Sequence, residues 1–355
     1  MKILFATGRP FFPDLFGGAE RSMHGLLSGL IKHGHDCEGI AMHGNSLQSR
    51  IFMLKRLLSG KRLYSSQDQR AGFPIWRTRS WLLQEAFNER MRNNKPDIVL
   101  TQLGSAGDIA NWSLRNGVRP FVFLRDTEDV PFNQEDTKNK NIKFIANSLF
   151  TASWAKEHFS INAPVLYPPI DVSALRLSNS PSYVTLINPV KEKGLDLALS
   201  IAKRLPGIHF LFVESWPLSD EQTSYLHDKL KYLKNVTFWK RRINIQTVYD
   251  VTKVLIVPSL WYEPFGRVII EAQACGIPII GRGVGGIPEA IGKGGLVISE
   301  SAGADDWAKI LDSLLKDRIR MDELREIAVK NAHDGAWNPV KVVDLFEKLI
   351  GYHMV

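Results

Sequence analysis

Cysteine is scarce: Cys37 and Cys275 are the only two in 355 residues. That count excludes a disulfide framework and a cysteine-based metal site. Both lie in apolar stretches, which predicts buried, inert thiols and fits a reducing compartment. No run approaches the roughly 20 apolar residues of a membrane span, and the opening MKILFATGRP has too short an apolar run for a signal peptide. The expected location is therefore cytoplasmic. The GxGxxG dinucleotide fingerprint is missing, which argues against a dehydrogenase. Nothing resembles a helix-turn-helix, an RRM or a zinc module, so nucleic acid is not an expected partner despite a pI near 9.3.

What is present is an ordinary globular composition, 44% hydrophobic and 23% charged, at a length that favours about two domains. The charge is uneven. Residues 1–165 hold 22 Lys+Arg against 15 Asp+Glu, while the remainder is nearly balanced. Residues 50–95 alone hold eleven basic and three acidic side chains. In 47–64, Ile51, Phe52, Leu54, Leu57 and Leu58 make an apolar stripe edged by Arg50, Lys55, Arg56, Lys61 and Arg62. This composition suits an interfacial helix on an anionic membrane surface, or equally a surface helix packed on its own domain. Arg77, Arg79, Arg90, Arg92 and Lys95 extend the positive field, and Trp76 and Trp81 suit an interface or a core.

Short β-branched runs alternate with helical patterns throughout, the signature of parallel α/β units. KILFA, then Gly17 and Gly18, then a helix from about Ala19 to His33 form the first strand–glycine loop–helix unit. PDIVLT, FVFL and IKFIAN are further strands in the first half; YVTLI, HFLFV and Val236 to Trp239 are strands in the second. The polar segment 127–141 reads as a loop. Two prolines, Pro168 and Pro169, stiffen a connection near the middle.

The stretch VPSLWYEPFGRVIIE, residues 257–271, has the most chemistry in it. It reads as the end of a buried strand, a loop, and a helix with Pro264 in its first turn, running to Cys275. Glu263 and Glu271 are eight positions apart, at most ~12 Å at a helical rise. Between them lie the free amides near Phe265, Gly266 and Arg267, an anion site. Arg267 opposes the helix dipole, which a bound anion would explain. A nucleotide sugar has a matching shape, with a diphosphate in the middle and hydroxylated rings at its ends. Glu271 would then accept from the ribose and Glu263 from the transferred sugar. Two solvated carboxylates on an ordinary helix are the plainer reading of the spacing alone.

The longer run PSLWYEPFGRVIIEAQACGIPIIGRGVGGIPEAI resembles the E-x7-E region of retaining glycosyltransferases of family 4. The resemblance implies an α/β chain of GT-B fold, two Rossmann-like domains facing a cleft, with the C-terminal helix crossing back to the first domain. The implied division is an acceptor-side domain over 1–167, a linker over 168–182, a donor domain over 183–336 and the returning helix over 337–355. GGAE at 17–20 is similar to the family's N-terminal glycine loop, and YPPID to its lead into the linker. Lys193-Gly194 matches the donor-diphosphate motif, making Lys193 the phosphate cation. Many relatives have Arg five residues before this Lys, where Asn188 stands here. The strand end that often carries His-Asp carries Arg125-Asp126 instead. The implied catalytic set is Glu263, Arg125 and Asp126, and the implied donor set is Gly17, Gly18, Asn188, Lys193, Pro264, Phe265, Gly266, Arg267 and Glu271. No Asp-x-Asp stands at a useful place, so no metal and no cofactor is expected. The implied activity is retaining, metal-independent sugar transfer from a nucleoside diphosphate sugar of UDP or GDP type to a glycan or lipid-linked acceptor, in surface polysaccharide or glycolipid synthesis. A sugar-nucleotide 2-epimerase shares the fold, and a donor-binding protein without catalysis would share the motifs.

Overall fold

The computed structural model describes residues 1–44, 47, 50, 51, 54, 58, 64–128, 132–242 and 244–351. The chain divides into two compact units, Met1–Ile170 with Ala336–Val355, and Asp171–Gly335. Each is built on one sheet.

The first unit contains β1 (Lys2–Pro10), β2 (Asp36–Met42), β3 (Ser65–Asp68), β4 (Ile75–Thr78), β5 (Ile98–Gln102), β6 (Arg119–Leu124) and β7 (Lys143–Ala146). They lie in the order β3-β4-β2-β1-β5-β6-β7, all parallel except β3 against β4. Leu4, Phe5, Ile98, Val99 and Leu100 are buried on both faces, as the unbroken apolar runs predict. Leu26, Leu27 and Leu30 of the helix Gly18–Lys32 meet Phe121, Phe123 and Ile3 in one core.

The second unit contains β8 (Tyr183–Ile187), β9 (Phe210–Val213), β10 (Val236–Trp239), β11 (Thr252–Val257), β12 (Ile279–Arg282) and β13 (Gly295–Ile298). The order is β10-β9-β8-β11-β12-β13, wholly parallel. Both sheets thus reverse direction of growth beside their first strand, at β1/β5 and at β8/β11. Loops leaving the carboxyl ends of strands at such a reversal make a crevice for ligands. The helices Leu195–Arg204 and Ala304–Lys316 cover one face through Leu199, Ala202, Trp307 and Leu311.

The last helix, Pro339–Ile350, belongs to the first unit. Val342, Val343, Phe346 and Ile350 enter its core, with the Phe346 ring 6.1 Å from Phe121 and 6.0 Å from Phe123. A Cβ at Gly29 would lie 2.5 Å from Val343 Cγ2, so the glycine lets the two helices touch. Glu347 accepts from His35 Nε2 at 2.8 Å, and Arg119 donates to the carbonyl of Ile350.

Several sequence expectations change. The segment 127–141 contains a capped helix, Gln134–Lys138, in which the Asn133 side chain accepts from Glu135 and Asp136 amides. The pair β3–β4 has no hydrophobic run long enough to announce it. Pro264 precedes the helix Arg267–Ala274, and Gly266 caps it in the left-handed region at φ 96°. Arg77 and Arg90 do not extend a positive surface. Arg77 is 1% exposed, paired with Asp68 and bonded to the carbonyls of Phe11 and Phe12. Arg90 pairs with Glu38 and stacks 4.3 Å over Trp76. The stripe at 47–64 lies mostly outside the described residues. Leu47, Arg50, Ile51, Leu54 and Leu58 are helical and exposed. Cys37 and Cys275 are buried, and burial pushes both thiols up to about 12.

Asp68 is held between Arg70 and Arg77. Burial works to raise its carboxyl, but the hydrogen bonds from Arg77 and Arg70 outweigh burial and the pKa falls below 3.8. A depressed folded pKa means stability that is present above 3.8 and lost as the pH falls through the folded value. Asp68→Asn is expected to lower the urea midpoint at pH 7, and the gap to the parent chain to close as the pH falls below about 4. Urea melts at pH 7 and at several values below about pH 4 measure it; a gap independent of pH would contradict the assignment.

Candidate functional site

In the second unit, three loops leave the carboxyl ends of β8, β11 and β12. The first is short. Ile187 ends β8, and Asn188 takes the left-handed conformation at φ 61°. A single 3-10 turn, Lys191–Lys193, follows, and Gly194 at φ 80° opens the helix Leu195–Arg204. Gly194 is required twice over, because a Cβ there would also run into the carbonyl of Pro258. The second loop, 258–266, is fastened to the first through one carbonyl. Glu192 O accepts the amides of Leu260 (2.9 Å) and Trp261 (3.0 Å) and the Ser259 hydroxyl (3.3 Å).

This stitching brings Lys193 to Glu263. Lys193 Nζ lies 2.9 Å from Glu263 Oε1, with both side chains largely buried at 13% and 8% exposure. Two indoles flank the cation, Trp261 at 4.4 Å and Trp216 at 5.8 Å from ring centroid to Nζ. Such faces stabilise a partly desolvated ammonium. The third loop closes underneath. Gly286 donates to the carbonyl of Glu263 at 2.7 Å, and a Cβ at Gly285 would sit 2.5 Å from that same oxygen. Gly285 and Gly286 therefore admit the close approach of the protein's own backbone.

One helix turn away, Arg267 Nη2 and Glu271 Oε1 form an i,i+4 pair at 3.8 Å, and the Tyr249 hydroxyl donates to Glu271 Oε2 at 3.2 Å. The two glutamates thus stand at opposite ends of the loop and helix start 263–271, each beside a cation. Pro264 and Phe265 lie in that loop, and Phe265 is buried. Asn188 is 4% exposed, and its Oδ1 accepts the amides of Ser215 and Trp216 at 2.8 and 3.2 Å. It shapes the turn after β9 and so helps to place Trp216.

The remaining sequence-derived residues sit in the first unit. Gly17 caps the helix Gly18–Lys32, and a side chain at Gly17 would strike the Glu20 carboxylate. Burial pushes the Glu20 carboxyl above its ordinary value, against the pull of Arg9 and Arg125. Arg125 Nε donates to Gln102 Oε1 at 3.1 Å, and its guanidinium stacks 4.9 Å from the Phe123 centroid. Asp126 Oδ1 accepts from the amides of Thr127 (2.7 Å) and Glu128 (3.1 Å), closing its own turn. Gln102 also donates to the carbonyl of Ala19 and accepts through its own carbonyl from Thr7. Glu20 was legible only as the last residue of GGAE, and Gln102, Trp216, Trp261 and Tyr249 had no role assigned by motif. Trp261 stands two residues before Glu263 and was within reach of a sequence reading; Trp216 and Tyr249 meet their partners only through the fold.

Residues 176–334, nearly the whole second unit, match the model of the family described as glycosyl transferases group 1. The second unit belongs to that family. A D-inositol 3-phosphate glycosyltransferase of Mycobacterium marinum is 32% identical over 143 residues, which cover 38% of this chain and 30% of that protein. The chain thus spans under a third of that curated relative's length by alignment. Solved structures similar to the chain extend over both units. HepE of Anabaena in complex with UDP and glucose covers 99% of each chain with a TM-score of 0.78 at 17% identity. WaaG, a glycosyltransferase involved in lipopolysaccharide biosynthesis, covers 97% of this chain and 99% of its own with a TM-score of 0.66 at 16% identity. The fold is GT-B, two parallel Rossmann-like sheets with the terminal helix returned to the first unit.

The Lys193–Glu263 pair has a measurable signature in this group 1 unit. Stranding either charge in a largely buried place costs about 3 kcal/mol, and removing both costs less than the sum by ~1–3 kcal/mol. Urea unfolding of Lys193→Met, Glu263→Gln and the double variant is expected to show that coupling. Strict additivity would mean the two side chains do not meet in solution.

Proposed function

We propose that the chain is a retaining glycosyltransferase that moves a hexose from a nucleoside diphosphate sugar to a glycan or lipid-linked acceptor. The observation that carries this reading is the buried Lys193–Glu263 pair at the β8/β11 reversal, with Arg267–Glu271 across the loop from it. The match of residues 176–334 to the group 1 family supports it. The UDP complex of HepE supports a uridine nucleotide as the first donor to test.

Lys193, Arg267 and the first-turn amides of Arg267–Ala274 hold the diphosphate and stabilise the charge that grows on it as the glycosidic bond breaks. That supply of positive charge makes transfer metal-independent. Glu271, steadied by Tyr249, accepts from the ribose hydroxyls. When phosphate oxygens take over Lys193, Glu263 is left to accept from hydroxyls of the transferred sugar, and it positions the ring. The acceptor hydroxyl attacks on the face the diphosphate leaves, and the leaving phosphate takes its proton. Asn188 holds the loop that presents Trp216, and Gly266 keeps backbone close to the diphosphate. Of the first unit's residues, Gly17 and Gly18 offer backbone amides to donor phosphate, Arg125 a cation braced by Gln102, and Asp126 the turn beyond it. A second reading, donor binding without turnover, is favoured by Asn188 standing where many relatives have a cation.

A thermal-shift panel of UDP, GDP, ADP and their sugars on the parent chain and on Glu271→Ala tests the donor assignment. One nucleotide series is expected to raise the melting point, and Glu271→Ala to lose most of the rise. Release of free nucleoside diphosphate with an acceptor separates transfer from mere binding, and Glu263→Gln is expected to lower it about 100-fold or more while the nucleotide still binds. No shift with any nucleotide would overturn the reading.

Surface polysaccharide or glycolipid synthesis, with the chain peripheral on an anionic membrane, is the pathway proposed. Leu47, Ile51, Leu54 and Leu58 are exposed at helical spacing, next to exposed Arg50. Near an anionic surface each basic residue adds about 1 kcal/mol. Neutralising Arg50, Lys55, Arg56, Lys61 and Arg62 together is expected to lower partitioning onto phosphatidylglycerol vesicles by at least ~100-fold in cosedimentation. Unchanged partitioning would remove the membrane from the proposal.

A further inference from the structure

We propose that His33, Asp344 and Glu347 bind a zinc-like divalent transition-metal ion that fastens the C-terminal helix to the first unit. Among the described residues, this is a group of three ligand-type side chains whose candidate donor atoms all lie within 4.8 Å of one another. It is independent of the transferase reading, because all of its residues lie in the first unit and none belongs to the donor or acceptor set.

The His33–Glu347 spacing fits a small tetrahedral ion, and the Asp344 carboxylate lies within 4.8 Å of both. With Zn–N and Zn–O bonds of about 2.0–2.1 Å, donor atoms on a tetrahedron are about 3.3–3.4 Å apart. His33 Nδ1 lies 3.3 Å from Glu347 Oε1 and 3.3 Å from Oε2. Asp344 and Glu347 are three positions apart on the helix Pro339–Ile350, which puts both carboxylates on one face. One imidazole nitrogen and two carboxylates make three protein ligands and leave a fourth position for water. Imidazole in the set favours zinc over magnesium or calcium, which take oxygen shells.

Two further features prepare the site. His35 has a fully buried side chain and donates from Nε2 to Glu347 Oε1 at 2.8 Å. It fixes the carboxylate in the manner of an outer-shell partner, while His33 remains a quarter exposed at the mouth. His33 is also the C-cap of the helix Gly18–Lys32, so the carbonyl end of that helix dipole faces the ion. The ion would join two parts of the unit distant in sequence, the end of the first long helix and the last helix, with His35 just before β2 bracing Glu347.

The test uses the full chain after chelation and dialysis. Zinc at about 100 times its Kd is expected to raise the melting point by on the order of 5–10 °C, with one ion bound per chain, and magnesium at the same concentration to do nothing comparable. Cobalt(II) is expected to give the visible absorption of a four-coordinate site. His33→Ala and Asp344→Asn, which leave the Glu347–His35 bond in place, are expected to weaken zinc binding at least 10-fold and to abolish the cobalt bands, while far-UV circular dichroism stays that of the parent. Glu347→Gln is less useful, since it cuts a buried contact of the helix. No bound zinc in the parent chain, or the same zinc response in both folded variants, would overturn the proposal.

Discussion

The backbone carbonyl of Glu192 is the joint on which the second unit's site depends. Two parallel strands, β8 and β11, lie side by side because the strand order reverses between them. Their outgoing loops are therefore forced together, and three donors from the 259–261 turn close on that one oxygen. Everything chemical follows from the closure. Lys193, next in the chain, is delivered against Glu263, and Gly194 fits under Pro258 because it has no Cβ. The glycines at 285 and 286 carry the third loop beneath the same turn.

The charges are arranged so that no cation or carboxylate of the site is left alone in a low-dielectric place. Lys193 has Glu263 and two indoles; Glu271 has Arg267 and Tyr249. Each pair holds one group suited to phosphate and one suited to hydroxyls. Under the proposed function, an arriving nucleotide sugar would exchange its own charges for these, which lowers the desolvation cost of both partners. The same economy governs the first unit. Arg77 and Arg90 spend their charge inside, on Asp68 and Glu38, and the exposed Arg70 pairs with Asp14 and Asp68. These pairings take up as many carboxylates as arginines, so the net basic excess of that half rests on its other side chains.

The first unit is organised around buried polar hubs at its own strand reversal. Gln102, at the end of β5, ties β1, the first long helix and Arg125 together. The returning helix adds Phe346 to the core and Glu347 to the two histidines. Unpartnered, that carboxylate would be costly at 5% exposure. With His33 and His35 it becomes the contact that sets where the helix lies.

Local pattern alone determined a good deal. The apolar runs at 98–101, 121–124, 183–187 and 254–257 are strands because β-branched and aromatic side chains bury on both faces of a parallel sheet. The helix Gly18–Lys32 and the last helix follow from apolar spacing. Glu263, Arg267 and Glu271 were legible as one unit because they lie within nine residues of one another, so local geometry bounds their distances. Lys193 and Asn188 were legible only through resemblance to a family motif. The tertiary structure decided the rest: that Lys193 pairs with Glu263, that Asn188 gives its side chain to the turn holding Trp216, that Arg77 is a core residue, and that Glu347 meets His33. Each of these contacts joins residues many positions apart. Side-chain type states what a residue is able to bond with, but only the packing of the sheets and the loops they force together states with whom.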